Sequence, residues 1–345
     1  MSNRRRTISQ ALVMLPLLLA ATAFGQVSSR VNVPHAPAAE APAGVPAPGA
    51  GGCARSLSAC YYDLCEFVDD EAPIGDGGVC LGQGDPDQVP PILAAGHSPV
   101  YIDNLDATTL LRCDILFAQN ESNGGYNQEW IDALPAIAAR VQSGMILVFH
   151  DRAVDDEEVG GGGGAPTGSG TEVPGNAADY IPGLAGASCA RDFNDDANIE
   201  VVTAGTAVTD GPAGTIDDSS LDGGNSSSHG YCTQVSLPGG STSFLSRTLS
   251  TEAVAFAYPY GAGTVYYSTM PLDFYLDGEG NEPPLSNYAN IYAPNVLTYA
   301  GQVSPACLPT LVAVPTLSAW GLAALAALLG LGSVWMLRRR TRAQG

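Results

Sequence analysis

The chain has 345 residues, with 35 acidic side chains against 14 basic ones and a formal net charge of −21. Every basic side chain is an arginine, which excludes a phosphate-loop lysine, a Schiff-base lysine and a Ser-Lys dyad. Residues 26 to 316 hold all 35 acids but only seven arginines, a net −28, and such a surface repels phosphates and excludes nucleic-acid binding.

The opening "MSNRRRTISQALVMLPLLLAATAFGQ" has a basic start, a short apolar run and a small-residue end. This pattern predicts a secretory signal peptide over residues 1–25, handled by a secretion translocon and a signal peptidase. Residues 26–52 carry five prolines among alanines and glycines, too little apolar bulk for a core, and read as a linker. An acidic, Cys-bearing segment follows over residues 53–96.

The eight cysteines, Cys53, Cys60, Cys65, Cys80, Cys113, Cys189, Cys232 and Cys307, show no paired C-x-x-C spacing. An even count in an exported chain predicts disulfides rather than zinc. The first four are expected to bond largely among themselves.

From residue 97 to 303 the pattern becomes that of one α/β ectodomain. "VYID" and "CDILFAQN" read as short buried strands. In "NQEWIDALPAIAARVQSG", Trp130, Leu134, Ile137 and Val141 recur at helical spacing, with Gly144 as a stop. "MILVFHD" is again of strand type. Strand, helix, strand predicts a βαβ unit whose two strands are adjacent and parallel.

The chain then runs through long Gly-rich loops, including five consecutive glycines at 160–164 that lack the Lys-Ser/Thr ending of a phosphate cradle. "NIEVVTAG" returns toward the sheet. Ala253–Tyr258 and Thr264–Thr269 flank a "YGAG" turn as a hairpin, and "NYANIYAPNVLTYAG" supplies a last helix with Pro294 near its first turn. Residues 304–313 form a second linker.

On "CDILFAQN" with its helix and "MILVFHD", on "AYPYGAGTVYYST" and on the "MPLD" after it, residues 112–300 resemble the class I glutamine amidotransferase-like α/β fold, including trehalose-utilisation-type domains. The resemblance implies a flavodoxin-like parallel sheet with helices on both faces. That family bears a Gly-x-Cys-x-Gly elbow where this chain reads "FHDR" and a His-Pro-Glu where it reads "MPLD", so amidotransfer is not implied.

Sites in open parallel sheets lie beyond the carboxyl ends of strands. His150 and Asp151, with Asp273 and Asp277, are therefore candidates for an acid-base or metal constellation; the plainer reading is a hydrogen-bonded structural pair. His229 is a lesser candidate in a polar loop. Asp192, Asn194, Asp196, Asn198 and Glu200 alternate oxygen side chains in a pattern that calcium favours, although Ala197 stands where the helix-loop-helix motif needs glycine. A solvated acidic loop is the alternative, and calcium is the one cofactor considered.

The ending carries the sharpest pattern. Val314, Pro315, Thr316, Leu317, Trp320 and Gly321 in "VPTLSAWG", an 18-residue apolar stretch over 320–337, and Arg338, Arg339 and Arg340 resemble the IPTL-type carboxyl-terminal sorting domain, a relative of signals read by exosortases. The resemblance implies a transmembrane helix at 320–337 with a cytoplasmic basic tail, an inner-membrane-anchored precursor, cutting by an exosortase-like enzyme, and a place at the cell surface or outside the cell. A permanent anchor is the alternative. The favoured function is a non-enzymatic surface or matrix protein with an unidentified ligand; the alternative is a hydrolase-like or metal-dependent enzyme using His150, Asp151 and Asp273.

Overall fold

The computed structural model describes residues 56–64, 86–122, 125–156, 172–192, 198–224, 227–278 and 280–307. The signal-peptide, first-linker and sorting-domain expectations, with Val314, Pro315, Thr316, Leu317, Trp320, Gly321 and Arg338 to Arg340, lie outside the described residues. So do Cys53, Cys65, Cys80, Asn194, Asp196 and the glycine run. No helix among the described residues is long and apolar enough to cross a membrane.

The principal elements are β1 (Ser58–Leu64), α1 (Val89–Ala94), β2 (Ser98–Tyr101), α2 (Ala107–Leu110), β3 (Ile115–Asn120), α3 (Gln128–Gln142), β4 (Ile146–Asp151), β5 (Cys189–Arg191), β6 (Glu200–Val201), β7 (Gly230–Thr233), β8 (Thr242–Ser246), β9 (Glu252–Tyr260), β10 (Gly263–Ser268), α4 (Leu272–Leu276) and α5 (Ala293–Val303). One sheet runs in the order β2-β1-β3-β4-β10-β9-β7-β5, with β8 also on β9 and β6 on β8. Its first five strands are mutually parallel and the remainder are antiparallel.

The expected βαβ unit is present. β3 and β4 are adjacent and parallel, Ile115 opposite Ile146. The helix between them starts where the Asn127 side chain accepts from the Trp130 amide at 2.7 Å, satisfying a backbone donor that the first turn leaves open. It buries Trp130, Leu134, Ile137 and Val141 against the sheet. The hairpin is present too, as β9 and β10 closing at Gly261, φ +66.

Strand alternation divides the core into two layers. Leu116, Leu147, Phe149 and Tyr267 face α3. Ile115, Phe117, Ile146, Val148 and Tyr266 face the opposite layer, with Ile92 of α1 and Val296 and Leu297 of α5. Helices thus cover both faces, and the parallel strands are buried on each.

Three expectations change. The segment before residue 97 is not outside the folded domain: Ser58–Leu64 is a strand between β2 and β3, six of whose neighbouring pairs run from Ala59 opposite Ile115 to Leu64 opposite Asn120. "VYID" is not a buried strand but, among the described residues, the outermost strand of the sheet, with Tyr101 exposed. Of the four early cysteines, Cys60 is the one among the described residues, and it does not close with the other three. Cys60 on β1 bonds to Cys113, at the entry to the neighbouring β3, with Cα atoms 5.4 Å apart. Sheet order, not sequence spacing, brings the two together. Cys189 and Cys232 form a second bridge across β5 and β7, and Cys307 is also disulfide-bonded.

Candidate functional site

Asn120, Asp151 and Ser268 end β3, β4 and β10, and the register sets Asn120 beside Asp151 and His150 beside Ser268. This is the edge where open α/β sheets carry their sites. Neighbours in a strand point to opposite faces, so His150 and Asp151 part company.

Asp151 is fully buried on the α3 side. Its Oδ2 accepts from the Tyr126 hydroxyl at 2.6 Å and the Tyr267 hydroxyl at 2.8 Å. Its Oδ1 accepts from Asn120 Nδ2 and the Ala153 amide, both at 3.0 Å. Burial raises its pKa, and Tyr126, Tyr267, Asn120 and the Val154 amide oppose the rise. The same bonds hold a tight turn in which the buried, β-branched Val154 takes φ +55, a conformation costing on the order of 1–3 kcal/mol.

His150 enters the other layer. Its Nε2 lies 3.2 Å from the Tyr292 hydroxyl, which reaches Tyr266 at 2.9 Å and Ser268 Oγ at 3.2 Å. The Phe117 and Tyr292 rings meet the imidazole edge-on. Burial drives its pKa down to about 3, so it is a neutral core histidine at any pH near 7. Its Nδ1 has no hydrogen-bond partner.

Asp273 is buried in the first turn of α4 and pairs with Arg152, the residue after β4. Burial raises its pKa and Arg152 opposes that. Asp277, exposed, ends α4 by donating its amide to the Asp273 carbonyl. The three catalytic candidates therefore sit with three different partners: His150 with Tyr292, Asp151 with two tyrosines and Asp273 with Arg152. The structure does not bring them together.

His229 is buried too, its Nδ1 lying 3.2 Å from the Arg152 carbonyl. Burial, then Arg152, Arg191 and Arg247, hold its pKa well below the usual imidazole range. Arg247 clamps two loops: Nε donates to Ser228 Oγ at 2.9 Å, Nη1 to Asp192 Oδ2 at 2.6 Å, and Nη2 to the Asp192 carbonyl.

Asp192 of the calcium candidates is thus engaged by a guanidinium. Asn198 is exposed, and Glu200 is in β6 opposite Ser246. Among the described residues no three His, Cys, Asp or Glu side chains group as a metal site. None of the described cysteines is free, so no thiol nucleophile stands among them.

Tyr126, Tyr267 and Tyr292, which organise this edge, escape the sequence reading. For Tyr267 the alternation of "TVYYST" is a sequence signal, sending Tyr266 and Tyr267 to opposite faces.

Residues 312–340 match the IPTL-CTERM motif. The IPTL-CTERM match covers the apolar stretch and most of the basic tail and marks the chain as an exported protein sorted through its carboxyl end. The chain matches none of the curated proteins it was compared with. Among solved structures it is similar to the cytoplasmic protein STM3548 from Salmonella typhimurium (TM-score 0.39, 11% identity, covering 71% of this chain and 98% of that one). It is also similar to a cold-adapted beta-galactosidase from Rahnella sp. R3 (TM-score 0.36, 14% identity, 70% and 30%). A third is the exo-beta-1,4-mannosidase Op5Man5 from Opitutaceae bacterium strain TAV5 (TM-score 0.35, 11% identity, 69% and 36%). The chain spans about a third of the two glycosidases. The amidotransferase-like reading of the central region gains no support from these comparisons.

Proposed function

We propose that this protein is a surface protein, exported behind an amino-terminal signal peptide, held in the inner membrane by residues 320–337, and then cut near Val314–Leu317 by an exosortase-like enzyme. The observation that carries the reading is the IPTL-CTERM match at residues 312–340. A permanent anchor needs only apolar length and flanking charge. A recognition enzyme needs side chains in fixed order just outside the span, where Pro315 favours an extended, presentable backbone before it.

The delivered domain is non-catalytic in this proposal. Support comes from the separation of His150, Asp151 and Asp273, each held by a different partner. The parallel strands, ranked along the chain, run 2-1-3-4-5 across the sheet, the doubly wound order of a flavodoxin-like fold, and on that basis we assign the fold to that class. The acidic surface suits solubility outside the cell and association with cations rather than with nucleic acid. Any calcium loop would draw on Asn194 and Asp196 more than on Asp192.

Replacing Pro315 and Thr316 together by alanine barely alters hydrophobicity, so membrane insertion should persist while cutting fails. In the native host the double variant is expected to accumulate as a full-length, membrane-bound precursor on immunoblots of fractionated cells. Processing at the wild-type level would overturn the sorting reading.

A further inference from the structure

The last described turn is fastened to the sheet's amino-terminal edge. After α5, Ser304 is buried, the Cys307 amide donates to its carbonyl at 2.9 Å, and Cys307 is disulfide-bonded. Pro305 packs on Gly144, the stop before β4: a Cβ built at Gly144 would lie 3.3 Å from Pro305 Cγ. The hairpin turn lies beside the same stop, with the Ala262 amide donating to the Gln142 carbonyl at 2.9 Å. The edge with Asp151 and Arg152 is at the far end of β4, about 20 Å away for six residues at ~3.3 Å each.

Only residues 308–313 separate Cys307 from Val314. Fully stretched, the seven steps from Cys307 to Val314 reach about 25 Å. The pinned turn therefore stays within that distance of the sorting motif, and the far edge lies about 20 Å from that turn.

Charge agrees with that placement. A domain of net −28 is repelled by an anionic lipid surface. Yet this edge carries the exposed Leu111 and Arg112 at the entry to β3, and Arg140, whose guanidinium donates to the Leu110 and Cys113 carbonyls at 3.1 Å. Asp114, at the same entry, accepts from the Ser58 amide at 3.0 Å.

We infer that the amino-terminal edge of the parallel sheet, around Leu111, Arg112, Ser143 and Pro305, is the face the precursor lays toward the lipid surface, and that the carboxyl-terminal edge points away from it. The inference rests on the proposed membrane-held precursor. It makes the edge with Arg152 and Asp273 the part of the domain open to partners before release, and requires the sorting enzyme to work beside the Pro305 turn.

The absence of lysine makes the test direct. The full-length chain is reconstituted into phosphatidylcholine vesicles as Ser143→Lys or Asp156→Lys, both exposed positions, labelled with an amine-reactive donor, and read against an acceptor dye anchored at the vesicle surface. The lysine-free parent supplies the amino-terminal background. Transfer from position 143 is expected to exceed that from 156 by at least about twofold, given the ~20 Å between the two edges. Arg112→Lys, which keeps its charge, should match position 143. Equal or reversed transfer in chains that float with the vesicles would overturn the orientation alone. Failure to float would overturn the membrane-held precursor and the orientation with it.

Discussion

Replacing Asp151 by alanine is expected to destabilise the ectodomain by about 3–5 kcal/mol, on the order of what is lost when a buried charge network loses its centre. The carboxylate receives the Tyr126 and Tyr267 hydroxyls, the Asn120 amide and the Ala153 backbone amide. Alanine leaves the two tyrosine hydroxyls and the Ala153 amide without this acceptor, while Asn120 Nδ2 keeps the Gly125 carbonyl at 3.0 Å. It also frees the turn that holds Val154 at φ +55. Asp151→Asn, which keeps the shape but offers one oxygen, should lose less. Urea unfolding of the secreted ectodomain checks both. A catalytic carboxylate is commonly held at a cost to stability, so a variant as stable as the parent, or more stable, would return Asp151 to the list of functional candidates.

Acid should loosen the same domain through its histidines. The sign follows from linkage. His150 titrates at about 3 when folded and near the usual ~6.5 when unfolded. Between those values the unfolded chain holds more protons, so the stability present above pH 6.5 is lost as pH falls through the window. His150 alone accounts for about 2 kcal/mol by pH 5, at ~1.4 kcal/mol per pH unit.

His97 and His229 are shifted the same way, chiefly by burial. Asp151 and Asp273, whose folded values are raised, act oppositely in the carboxylate range, so pH 7 to 5 is the informative interval. His150→Phe keeps an aromatic ring among Phe117, Tyr266 and Tyr292 and leaves Tyr292 bonded to Tyr266 and Ser268. It should fold and show a shallower fall in stability than wild type. Parallel falls in the two proteins would mean that His150 is already charged in the folded state.

Local pattern carried the parts of the fold that local energetics decide. The helical spacing of Trp130, Leu134, Ile137 and Val141, set between two apolar runs, is enough for the βαβ unit, and "YGAG" is enough for the hairpin. β1 was hidden because its seven residues stand among acids and cysteines whose partners are distant in sequence. The pairing of Cys60 with Cys113 depends on β1 lying next to β3, a fact of sheet order that no spacing encodes.

At the candidate site, the strand-end position of His150 and Asp151 was legible. Their divergence follows from the same two-residue period that identified the strand, which makes adjacency in sequence a sign of separation in space. The clustering of His229 with Arg152, Arg191 and Arg247, and the pairing of Arg152 with Asp273, join five separate segments and could be known only after the sheet was assembled.

The central claim is that the carboxyl-terminal motif is a cutting signal rather than an anchor. Intact-mass analysis of the mature protein recovered from the surface of the native host tests it most directly. The account predicts a species ending near Val314–Leu317, without the apolar stretch and without "RRRTRAQG". A mature population that still carries that tail would contradict it and make residues 320–337 an ordinary membrane anchor.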